Sequence, residues 1–143
     1  MILSEIEELY SSYITKAEKV MQNMKPSDGL FGIGKKASDD PCHDEFADSL
    51  EKLLADFENI APTSEEVREV IRYIYNAPLK HEDNKNIYWM MNAVHGLTQG
   101  LIRFMSADDA SVIWLEYKEN YPKSKRLPVQ KQIEKLLEKI AKK

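Results

Sequence analysis

The run Asp39-Asp40-Pro41-Cys42-His43-Asp44 gathers the residue types best able to bind a metal ion or move a proton. A cysteine in a first helical turn sits in the positive end of the helix macrodipole, which favours the thiolate. The neighbouring aspartates oppose this, raising the thiol pKa and keeping a histidine protonated. A nucleophilic Cys42 would need a base from elsewhere in the fold, because adjacent helical residues point in different directions. His95, or secondarily His81, could be that base, with Asn92 as an orienting amide. Alternatively, His43, His81 and His95 are metal ligands supplied by different helices. Against that stands the absence of a Glu-x-x-His or His-x-x-x-His pair, the usual spacing for ligands on one helical face. The plainer account makes Asp40 a helix cap, His43 and His95 half-buried hydrogen-bonding residues and Cys42 a small apolar filler.

Weighing these, we assign no catalytic residue and no cofactor. The residues that could line a ligand pocket are Asp39, Asp40, Cys42, His43, Trp89, Asn92, His95 and Gln99. The preceding segment reads Gly29-x-x-Gly32-x-Gly34-Lys35-Lys36. It lacks the strand and the spacing of a phosphate-binding loop, although its amides and lysines could hold a small anion.

Six segments repeat apolar residues at helical spacing and must position these groups. The first carries Ile6, Leu9/Tyr10, Tyr13, Ala17, Val20/Met21 and Met24; the second, opened by Asp40 and Pro41, carries Phe46, Leu50, Leu53/Leu54, Phe57 and Ile60. A third starts at Thr63-Ser64-Glu65-Glu66 and stops near Asn76-Ala77-Pro78. The fourth, about 84–105, is apolar nearly all round and so belongs at the centre. Its narrow polar sector is Tyr88, Asn92, His95, Gln99 and Arg103. Gly96 and Gly100 within it each cost about 1 kcal/mol against alanine, and close approach of another helix is their ordinary use. Ser106-Ala107-Asp108-Asp109 caps a fifth, and the last follows Pro128.

The pattern predicts an all-α, single-domain bundle of about five to six mostly antiparallel helices over 1–143, with one irregular glycine-containing loop at about 25–39. At 143 residues a sizeable core is available, and one cysteine excludes a disulfide framework.

Charge is unevenly distributed. From Lys118 to Lys143 nine basic residues face three acidic ones, a net +6, so the overall −4 leaves −10 on the other 117 residues. The basic stretch has one arginine and little interleaved aromatic content, which makes nucleic acid an unpromising partner. Its natural recipient is the protein's own acidic surface, within the chain or across a homodimer. The acidic N-terminus carries no leader pattern, and the apolar stretch 87–105 is interrupted by polar groups costly in hydrocarbon. We therefore expect a cytoplasmic, non-membrane protein that binds a protein partner or small ligand without catalysis. Its working surface would be the glycine loop, residues 39–44 and the polar sector of the fourth segment. The alternative is an enzyme or metal-binding bundle built on Cys42, His43 and His95.

Overall fold

A computed structural model describes residues 2–22, 41–122 and 127–143, without side chains at 20–22 and 41–42. The glycine loop, Asp39, Asp40 and the Cys42 side chain lie outside the described residues, as do 123–126. Among the described residues every regular element is helical. They are α1 (Ile2–Gln22), α2 (Pro41–Asn59), α3 (Ser64–Asn76), α4 (Lys85–Ala93), α5 (Gln99–Ile102), α6 (Ala107–Asn120) and α7 (Pro128–Ala141). The fold is the expected all-α helical bundle, gathered into two compact units, Met1–Leu53 and Leu54–Lys143.

In the first unit, α1 buries Ile6, Tyr10, Tyr13 and Ala17, the i, i+4, i+7, i+11 stripe of one helical face. Phe46 of α2 meets Tyr10 edge-on at 4.9 Å and stacks on Tyr13 at 4.4 Å. Such ring pairs add roughly 0.5–1.5 kcal/mol beyond area burial.

The second unit begins within α2, at Leu54, and α2 itself ends at Asn59. Ala61 adopts a positive φ of 51°, its amide closing onto the Glu58 carbonyl, and Pro62 prevents continuation. Thr63 then opens α3 with a reciprocal cap: its hydroxyl accepts from the Glu66 amide, and the Glu66 carboxylate accepts from the Thr63 amide. Ser106 and Asn84 cap α6 and α4 without that reciprocity, each side-chain oxygen accepting the backbone amide three residues on.

Two features depart from the sequence reading. First, α3 and α6 run parallel. Ser64 lies against Ser106 and Asp109, Arg68 against Asp109, Arg72 against Glu116, and Asn76 against Asn120, so the pairs climb both helices together. Short connections favour antiparallel neighbours, but the intervening 77–105 segment carries the chain back before α6 begins. Parallel packing brings two positive helix ends together, and the Asp109 carboxylate sits between them. Its pKa is held below the ordinary range by the Ser64 hydroxyl first and the Arg68 guanidinium second.

Second, 84–105 crosses the unit's interior as expected, burying Ile87, Met90, Met91, Val94, Leu101, Ile102 and Met105. It does so as α4, a 3₁₀ turn at Val94–Thr98 and the short α5, rather than as one helix. Within that turn the Thr98 hydroxyl donates to the His95 carbonyl at 2.7 Å, a side-chain competitor for the backbone ladder. Gly96 sits in the same turn and adds its low helix propensity. Both glycines mark close approaches. A Cβ on Gly96 would lie 2.8 Å from Val129 of α7, and one on Gly100 would collide with the Glu58 carboxylate.

Candidate functional site

The interruption at Val94–Thr98 places a polar cluster inside the second unit. His95 and Thr98 are fully enclosed, surrounded by Tyr75 from α3 and by Tyr117 and Tyr121 at the end of α6. Tyr117 and Tyr121 are one helical turn apart, so both rings reach the same side. The Tyr75 and Thr98 hydroxyls share a 2.6 Å hydrogen bond, and His95 Nδ1 lies 3.2 Å from the Tyr117 hydroxyl. The Tyr121 hydroxyl donates to the Tyr75 carbonyl. His95 Nε2 makes no hydrogen bond of good geometry among the described residues.

Burial decides the chemistry of this cluster. It pushes the His95 pKa down to about 3, with the Ile74 carbonyl opposing the shift, so the imidazole is neutral near pH 7. Burial also raises the Tyr75 and Tyr121 pKa values far above their ordinary range. These groups therefore hold their protons or stay neutral across the physiological range, which suits an internal hydrogen-bonding network. The shallow cleft beyond the tyrosines, between Arg72, Glu116 and the Asn76–Asn120 pair, has room for little more than water.

A second buried polar set lies against the start of α7. Gln130 Nε2 donates to Asn92 Oδ1 at 3.0 Å, Gln130 Oε1 accepts the Leu127 amide at 2.7 Å, and Asn92 Nδ2 donates to the Tyr88 carbonyl at 2.8 Å. Asn92 and Gln130 are both fully buried. Two amides thus tie α4 to α7 and satisfy one of the free amides at the α7 N-terminus.

The sequence-derived pocket residues are distributed among different environments. His43, with 15% of its side chain exposed, packs near Tyr13 and Phe46 in the first unit, 4.0 Å from the Asp44 carboxylate. In the second unit, Asn92 and His95 both point inward but bond to different partners, Gln130 and Tyr117. Trp89 and Gln99 point outward; the Trp89 ring meets Tyr88 edge-on, and the Gln99 amide donates to Gln132 at 3.3 Å. His81 is half-buried after the 3₁₀ turn Ala77–His81. Among the described residues no three His, Cys, Asp or Glu side chains are grouped to hold a metal ion.

Within the polar sector of 84–105, Gln99 and Arg103 are exposed, whereas Asn92 and His95 are engaged in internal hydrogen bonds. Tyr75, Thr98, Tyr117, Tyr121 and Gln130 were missed as their partners. The Tyr117/Tyr121 spacing was the one available signal.

What the second unit does expose is apolar surface on α6. Asp108, Val112, Leu115 and Glu119 form its outward stripe, with Val112 39% and Leu115 58% exposed. Next to them Lys118 Nζ lies 3.6 Å above the half-buried Trp114 ring. No helix among the described residues is long and apolar enough to cross a membrane. No family model, curated protein or solved structure matches the chain.

Proposed function

We propose that the protein is a non-catalytic helical interaction module, acting in the cytoplasm, whose working surface is the outer face of α6. The observation that carries this is the α6 stripe, where Val112 and Leu115 stand exposed one turn apart between Asp108 and Glu119. A helix that already buries Ala110, Ile113 and Tyr117 on its core face has no packing reason to be apolar on the opposite side. The polar residues of the interior support the same reading, since Asn92, His95, Thr98 and Gln130 have internal partners. The lone cysteine suits a reducing compartment.

The test is a photo-cross-linking residue at position 115, with the same residue at exposed Arg103 as control. The expected result is one saturable adduct from position 115, suppressed by excess unlabelled protein and much less by excess Leu115→Lys protein. Equal adducts from both positions, or equal suppression by both competitors, would remove the support for this surface.

A further inference from the structure

We infer that the α6 face is covered by a second copy of this chain, with α6 of each protomer packed on α7 of the other. This rests on the interaction-module reading above and names its partner. Charge selects the occupant. The α6 stripe is acidic at both ends, through Asp108 and Glu119, while α7 presents Lys131, Lys135, Lys139 and Lys142 to solvent. Asp108, Glu119, Lys131, Lys135 and Lys139 have no salt-bridge partner among the described residues.

The alternative pairing, α6 on α6, would bring Val112 and Leu115 together. With the helices antiparallel it would also set Asp108 opposite Glu119 at both ends, four carboxylates in like-charge pairs. Packing α6 on the partner's α7 removes that repulsion and covers Val112 and Leu115 with the methylene stems of lysines. Because α6 and α7 are the most extensively paired helices of the unit, one two-fold axis generates both contacts at once. The outcome is a four-helix face-to-face dimer.

Size sets the strength. Two 14-residue helices side by side present a face about 21 Å long and ~20 Å wide. That is smaller than the ~800 Å² per partner of a standard stable interface, so association is weak and sensitive to salt.

Sedimentation equilibrium on the full chain tests this, using wild type and two exposed-site variants. One variant is Asp108→Lys/Glu119→Lys and the other Lys135→Glu/Lys139→Glu, with circular dichroism to verify that both stay folded. Wild type should dimerise at concentrations of about 100 µM and lose association roughly tenfold on raising salt from about 50 to about 500 mM. Each variant alone should be monomeric. Their equimolar mixture should dimerise like wild type, because every α6–α7 contact in the mixed pair again joins opposite charges. A wild type that stays monomeric, a dimer indifferent to either reversal, or a mixture without recovery would overturn the inference. If the adduct from position 115 instead contains a different protein, the interaction surface stands and self-association fails.

Discussion

Mild acid, between about pH 7 and about pH 5, should destabilise this protein through His95. His95 is fully buried and its pKa is lowered to about 3, whereas in the unfolded chain it titrates near the ordinary 6.5. Below the unfolded value the unfolded state binds a proton that the native state refuses, so this contribution to stability is lost as pH falls from 6.5 towards 3. At one proton, the slope in that window approaches 1.4 kcal/mol per pH unit. Between about pH 7 and about pH 5 the loss from His95 alone is therefore about 2 kcal/mol. Urea unfolding of wild type and His95→Gln at both pH values isolates the term, because carboxylates such as Asp109 titrate alike in both proteins. The variant's absolute stability is immaterial; the difference between the two pH dependences is the readout. Equal losses of stability by wild type and His95→Gln between the two pH values would show that His95 does not carry this pH dependence.

Three further outcomes follow from the packing of the second unit. Asn92→Ala and Gln130→Ala should each destabilise by about 1–3 kcal/mol, since each strands a buried amide group, and a double-mutant cycle should show coupling of roughly 0.5 kcal/mol or more. Strict additivity in chemical denaturation would mean that the Asn92–Gln130 bond contributes nothing. Ala61→Gly should raise stability by roughly 0.5–1 kcal/mol, because the position holds a φ of 51° that an L side chain resists. A lower melting temperature would contradict it. Gly96→Ala should cost about 1–3 kcal/mol, its new methyl meeting Val129 at 2.8 Å, and Val129→Ala should recover part of that loss. An unchanged midpoint for Gly96→Ala would show that α7 can shift freely.

Local rules carried much of the fold. Thr63, Ser106 and Pro78 punctuate helices through contacts a few residues long, and their caps and stops stand where the sequence places them. The core faces of α1 and α3 follow directly from apolar spacing. What the sequence did not disclose depends on distant partners. The break at Val94–Thr98 involves Tyr75 and Val129, which are remote in the chain. The parallel course of α3 and α6 depends on how far 77–105 carries the chain back, a distance that periodicity does not encode. Gln130 lies in a lysine-rich helix, yet it is buried because Asn92 and the Leu127 amide supply complementary groups. The polar residues of the candidate site were legible as a stripe on one segment, but whether such a stripe faces water or the core is decided by the helices packed against it. The exposed α6 stripe was harder still to recognise, because apolar residues on two sides of one helix blur the helical period.

A working interaction surface on α6 must be covered when the protein is at work. Hydroxyl-radical footprinting inside living cells, compared with dilute purified protein, measures this directly, with Ile60 (68% exposed) as an internal reference on the same unit. Val112 and Leu115 should be labelled more slowly in cells while Ile60 is unchanged. Equal labelling of all three residues in both settings would contradict it.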